Sequence, residues 1–202
     1  MARRLYRALW LGLMMAIVTA CAVGPAKLDV NEGQQSQLRQ LETWHAEGKL
    51  GVRFADDAHS ANFDWINDQG DFSLRLSGPF GQGTTWLRRQ GRLITLESPD
   101  EPLRKASSAE QLMLEQLGWQ VPVSNLRYWI KGTAAPEHKV GKMSRNIDGT
   151  LAELHQQGWT ISYSRYSAYN GWALPGKLVA ERGDLRLTMI IKNWQLPEPK
   201  QP

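Results

Sequence analysis

The chain has 202 residues, 42% of them hydrophobic and 22% charged, with 24 Lys and Arg against 20 Asp and Glu, nine Trp and one Cys. That length fits one domain of ordinary size. Dispersed cations exclude a basic nucleic-acid-binding tract. A lone Cys excludes a disulfide-stapled scaffold and a Cys-based metal site, so the fold stands on its core.

Residues 1–20 carry Arg3, Arg4 and Arg7, then an apolar run from Leu9 to Val18, then Val18-Thr19-Ala20-Cys21. About 20 apolar residues are needed to cross a bilayer, so this order of charge, short apolar core and small residues reads as a secretory signal peptide. Ending on Cys, it resembles a bacterial lipobox. That resemblance implies cleavage before Cys21, a diacylglycerol on its thiol and an acylated new amino group, a firm anchor at ~0.8 kcal/mol per buried methylene. Ala22 stands where Asp retains such proteins at the inner membrane, which favours the outer membrane of a Gram-negative bacterium, facing the periplasm. Residues 21–30 are then a lipid-anchored tether and residues 31–202 a single β domain. Three cations and no acid lie in residues 1–20, so the remaining 182 residues carry 21 cations against 20 acids and are near neutral. Eight Trp remain, which could fill a core, line a cavity or sit at a membrane interface.

Gln34 to Thr43 is polar, with Leu38 and Leu41 on one helical face, and predicts a short helix. From Trp44 the period becomes two: Trp44, Ala46, Gly48, Leu50, Val52 and Phe54 alternate with polar residues. Ala61, Phe63 and Trp65 repeat the pattern after Asp56-Asp57, and Phe72, Leu74 and Leu76 repeat it after Gly70. Thr84 to Arg89 and Leu93 to Glu97 form a hairpin about Gln90-Gly91, completing a five-strand meander. The pattern breaks at Pro99. Ser107-Ser108 offers an N-cap to a helix through Leu112, Met113 and Leu117, and Pro122 to Gly132 predicts a second short helix. Strands resume after Pro136, with hairpins about Gln157-Gly158 and Gly183.

The result is a mainly β chain of about ten or eleven antiparallel strands with a helical insertion near its middle. A long one-sided apolar sheet must be covered. Two short helices plug a curled sheet without filling it, which favours an incomplete barrel with a hydrophobic cavity, the alternative being a packed sandwich. The candidate lining is the inward set Leu50, Val52, Phe54, Phe63, Trp65, Leu74, Leu76, Trp86, Ile94, Leu96, Leu112 and Met113. Core packing is the competing role for each.

Pro122 with Leu126-Arg127-Tyr128-Trp129-Ile130-Lys131-Gly132 resembles the P-x-x-x-L-R-x-W-I-x-G segment of the LolB family. Trp44 with Gly48-Lys49-Leu50-Gly51-Val52, Gly78-Pro79-Phe80-Gly81, and Leu174-Pro175 through Asn193-Trp194 resemble three further stretches of that family, in order over residues 44–194. The resemblance implies an incomplete antiparallel barrel with a helical lid. It also implies an outer-membrane receptor that takes lipoproteins by their acyl chains from a LolA-type periplasmic carrier and inserts them into the inner leaflet. Its partners would be the carrier, lipoprotein cargo and outer-membrane phospholipid, with no cofactor or metal, no chemistry performed and a monomeric state. The family's Pro-apolar-Gly loop carries a protruding Leu where this chain has Phe80 between Pro79 and Gly81, so Phe80 is a candidate membrane-inserting residue. The other role for Phe80 is packing back on the sheet edge.

Two other classes compete. His45, His59, His138 and His155 form no H-E-x-x-H pair and no G-x-S-x-G elbow is present, which weighs against an enzyme. A lipoprotein scaffold for an envelope assembly complex would instead use exposed sheet edges.

Overall fold

Alternation from Trp44 becomes strand β1 (Trp44–Phe54), in which Trp44, Ala46 and Val52 are buried while Lys49 and Arg53 face solvent. The structure, a computed structural model, describes residues 30–78, 83–99, 101–117 and 121–199. β2 (Asp57–Asp68), β3 (Asp71–Ser77), β4 (Thr85–Gln90) and β5 (Leu93–Ser98) continue the predicted meander. Their register sets Trp194, Ala46, Trp65, Leu74, Leu87 and Leu96 side by side in one row across six strands. All six are buried. Cross-strand neighbours on one face, not backbone pairing alone, fix such a register, since a slip of one residue would turn the whole row to solvent.

A sixth strand, β6 (Glu101–Ala106), follows where the sequence pattern predicts a break. Pro102 disguises it. Proline is tolerated there because β6 is an edge strand, where a missing N–H costs no ladder bond. The two expected helices come next as α2 (Ala109–Leu117) and α3 (Val123–Trp129), with Ser108 Oγ accepting from Gln111 N at 3.1 Å as the N-cap of α2. The helix expected over Gln34–Thr43 is α1 (Glu32–Gln40), begun earlier by Asn31, whose side chain accepts from Gln34 N at 2.8 Å.

The second half supplies β7 (Val140–Arg145), β8 (Leu151–Gln156), β9 (Trp159–Ser164), β12 (Lys177–Arg182) and β13 (Leu185–Gln195), with β10 (Ser167–Tyr169) and β11 (Trp172–Leu174) forming a separate small ribbon. The main sheet has eleven antiparallel strands in the order β6-β5-β4-β3-β2-β1-β13-β12-β9-β8-β7. Its end strands β6 and β7 do not pair with each other. The fold is thus one open, curled sheet and not the two facing sheets of a sandwich. The connection between those two free edges is the segment that carries α2 and α3.

Indole rings dominate the concave face. Trp44 meets Trp65 edge-on at 5.2 Å and Trp194 at 5.9 Å, and Trp129 meets Trp159 at 6.1 Å. Such aromatic pairs add to plain area burial. Trp172 is buried too, so core filling claims most of the tryptophans. Trp119 lies outside the described residues.

β1 can approach β13 this closely only because residue 48 lacks a side chain. A Cβ on Gly48 would fall 2.0 Å from Ile190 O and 2.9 Å from the Phe63 ring, beside the register shift at Glu47/Gly48. At Gly51 the nearest atom would be Thr188 O at 4.0 Å. Gly48→Ala is therefore expected to destabilise the domain by about 2 kcal/mol or more in urea unfolding, and Gly51→Ala by under ~0.5 kcal/mol. Equal midpoints for the two variants would refute this account of the bulge.

Candidate ligand cavity

α2 and α3 are held from opposite sides. α2 rests against β5 and β6, with Ala109, Leu112 and Met113 buried. α3 buries Leu126, Trp129 and the following Ile130 in the core cluster, with Trp129 against Gln156 of β8 and Trp159 of β9. There the buried Gln156 is fully used. Its Oε1 accepts from Trp129 Nε1 at 2.8 Å and Ala135 N at 3.0 Å, and its Nε2 donates to Ala135 O at 2.8 Å and His138 O at 2.7 Å. A buried amide is favourable only when satisfied in this way. One clasp joins the helices directly: Glu110 Oε1 accepts from Ser124 N at 2.9 Å and Ser124 Oγ at 2.7 Å.

Beneath the clasp lies a half-open cavity of about 410 Å³. Its floor is apolar, from Trp65, Phe72, Ile94, Ala109 and Val123, and its rim is polar, from Arg89, Arg92, Arg127, Ser107, Ser108 and Ser124. A volume of that order suits one small or single-chain ligand. A second hollow of about 420 Å³, at the C-terminal end of α1, is lined largely by polar residues such as Gln37, Gln40, Thr43 and Gln69.

The predicted inward residues meet three fates. Val52, Phe63, Trp65, Leu74, Ile94, Leu96, Leu112 and Met113 are buried in one core cluster, with Leu50 and Leu76 half-buried against it. Of these, Trp65 and Ile94 line the cavity. Two placements are corrected. Trp86 faces outward: the register pairs Leu87 with Leu74 and Leu96 on the inner face and turns Trp86 towards Arg75 and Glu97. There the Arg88 guanidinium lies 4.3 Å and that of Arg75 5.7 Å from its ring, a cation–π stack on the convex surface. Phe54 is 43% exposed. β3 stops at Ser77, level with Asn62, while the β1–β2 hairpin runs on to Phe54 and Asp57, leaving that tip without β3 as a neighbour. Cys21, Pro79, Phe80 and Gly81 lie outside the described residues.

Sequence reading missed the rim. Arg89 sits opposite Phe72 and Ile94 in the register, so a residue that looks solvated shares the inner face. It also missed a convex cluster: Glu47 and Asp64 are cross-strand partners, and His45 Nε2 lies 3.0 Å from Asp64 Oδ1 and 3.8 Å from Glu47 Oε1. Arg75 holds the other Asp64 oxygen at 3.0 Å, which opposes a cation there.

Lys131, from the segment after α3, is 2% exposed. Its Nζ donates to Leu41 O at 2.7 Å and Arg39 O at 3.4 Å, capping the carbonyl end of α1. Burial, helped by the nearby Arg127 charge and opposed by Glu42, pulls its pKa down to about 7.

An open antiparallel sheet curled round a cavity and covered by two helices is a LolA-like fold. Among solved structures the chain is similar to a LolA superfamily protein from Nitrosomonas europaea, with a TM-score of 0.54 at 7% identity over 84% of this chain and 94% of that one. It is also similar to a DUF1329 family protein from Desulfovibrio piger, with a TM-score of 0.52 at 9% identity over 81% and 89%. Sequence narrows this class to one family. A family model described as outer membrane lipoprotein LolB matches residues 42–194, and the chain belongs to that family. It is 37% identical over 190 residues to the outer-membrane lipoprotein LolB of Pseudomonas aeruginosa, covering 90% of this chain and 92% of the relative. The corresponding protein of Ectopseudomonas mendocina is 38% identical over 191 residues, covering 90% and 93%.

Because the folded state holds Lys131 neutral above about pH 7 while the unfolded chain keeps it protonated to about 10.5, unfolding takes up a proton between those values. Stability from this group therefore rises with pH across that window, by at most ~1.4 kcal/mol per pH unit. Urea unfolding from pH 6.5 to 9.5 should show the wild type gaining on Lys131→Met as pH rises. A constant difference between the two would refute the assignment.

Proposed function

We propose that this protein is an outer-membrane lipoprotein receptor, which takes lipoproteins by their acyl chains from a LolA-type periplasmic carrier and inserts them into the inner leaflet. The observation that carries this reading is the half-open cavity with an apolar floor under α2 and α3. Support comes from a family whose members are named outer-membrane lipoprotein LolB, a LolA-like fold and a lipobox-like segment ending at Cys21. Cys21 carries the lipid anchor, residues 1–20 are removed, and the domain hangs in the periplasm as a monomer on a tether through residue 30. Binding and hand-over are the whole activity. No bond is made or broken.

Cargo enters beneath α2 and α3, where an acyl chain replaces water against Trp65, Phe72 and Ile94. Phe80, which falls between β3 and β4 in the sequence, enters the outer membrane's phospholipid and helps release the chains there.

Carrier preloaded with radiolabelled lipoprotein, mixed with the chain starting at Ala22, is expected to pass its label to that chain without added energy. Label staying on the carrier, with both proteins folded, would favour the envelope-scaffold role through β7, whose six residues are all exposed. The anchored Phe80→Glu protein should accept label normally yet lose most incorporation into vesicles. Normal incorporation would refute the role given to Phe80.

A further inference from the structure

The cavity's rim has more charge than an uncharged acyl chain requires. Arg89, Arg92 and Arg127 all line it, and no salt bridge among the described residues reaches any of them. The acid of the lining, Glu110, is engaged by Ser124 through its Oε1. Arg89 Nε donates to Gly91 O at 3.0 Å, and Arg127 Nη2 donates to Tyr128 Oη at 3.0 Å. Neither contact is to an anion.

Three cations without a carboxylate partner among the described residues, set round an apolar floor, fit an amphiphile: one chain on the floor and an anionic, oxygen-rich head at the rim. Phosphate diesters match best, because guanidinium groups recognise phosphate oxygens through paired hydrogen bonds.

We infer that this cavity carries an anion subsite, formed by Arg89, Arg92 and Arg127, that takes the phosphate of an anionic phospholipid whose acyl chain lies on Trp65, Phe72 and Ile94. The inference rests on the acyl-binding reading of the cavity and adds a second ligand class, since the diacylglyceryl group of a lipoprotein bears no charge. A membrane phospholipid would then occupy the cavity between cargoes and be displaced as cargo arrives.

Among the described residues the buried core lies between Gln35 and Trp194, so the chain starting at Ala22 keeps it. On that chain, calorimetry at low salt would compare 12-carbon lysophosphatidylglycerol, 12-carbon monoacylglycerol and inorganic phosphate, each lipid below its micelle concentration. The charged lipid is expected to bind about tenfold tighter than the neutral one. That advantage should shrink with salt and in Arg89→Gln/Arg92→Gln, and persist in Arg89→Lys/Arg92→Lys and in Lys192→Gln, a cation removed elsewhere. Equal binding of both lipids would overturn the anion subsite and leave the acyl cavity standing. Binding of neither lipid would overturn the acyl cavity and the subsite with it. Inorganic phosphate binding as tightly as the charged lipid would assign the rim to a free anion and overturn the lipid assignment.

Discussion

An apolar sheet face cannot be left against water, and this sheet does not close on itself. Eleven strands curl, but β6 and β7 remain unpaired at the two ends. Barrel closure would have sealed the interior with backbone hydrogen bonds and filled it with side chains. Here the chain covers the gap with its own β6–β7 connection, so the covering helices are tied to both free edges. The seal is side-chain chemistry: Gln156 pins α3 to β8, and Glu110 pins α2 to Ser124 of α3. Beneath those hydrogen bonds the cover is also packed, with Leu112 and Met113 of α2 and Leu126, Trp129 and Ile130 at α3 buried in the core.

The N-terminal segment is held by different contacts. Val30 N donates to Asp148 O at 3.0 Å, and Gly149 lies so near that a Cβ there would meet Val30 O at 2.4 Å. Leu38 is buried, and Lys131 binds the last carbonyls of α1. A buried lysine is expensive as a stabilising device, but it fixes where α1 ends. It also links the N-terminal helix to the segment after α3. The covering helices and α1 therefore share one anchoring segment, Trp129 to Gly132.

Strands with clean alternation were legible in the sequence. β1 shows Trp44, Ala46 and Val52 inward because every second residue is apolar and its neighbours are charged. Legibility failed where two rules competed. In β4, Trp86 and Leu87 are adjacent and both apolar, so period alone cannot choose a face, and only pairing with Leu74 and Leu96 decides for Leu87. At β6 the break read at Pro99 hid an edge strand, in which Pro102 costs no ladder bond. Arg89 falls on the inner face but reads as solvent-exposed, because charge normally marks the outside. That one misreading hid the character of the rim, and of the apolar floor only Trp65 and Ile94 belong to the predicted lining. The family-like segment Leu126 to Gly132 did mark the place where the cover attaches, though its buried lysine could not be foreseen from spacing.

In the receptor role proposed above, cavity volume bounds what hand-over would mean. A cavity of about 410 Å³ is of the order of one acyl chain and well short of three. Burying a 16-carbon chain whole is worth roughly 12 kcal/mol at most, which corresponds to nanomolar binding before the costs of association. Three chains buried together would exceed the practical ceiling of non-covalent affinity and would not leave on a useful timescale. A cavity of one chain avoids that. Under the proposed role, the remaining chains of a triacylated cargo would stay outside its walls, where a bilayer could take them first. Transfer would then be a succession of partial exchanges, each smaller than the burial of a whole lipid anchor, and it would run towards the bilayer because the bilayer buries every chain.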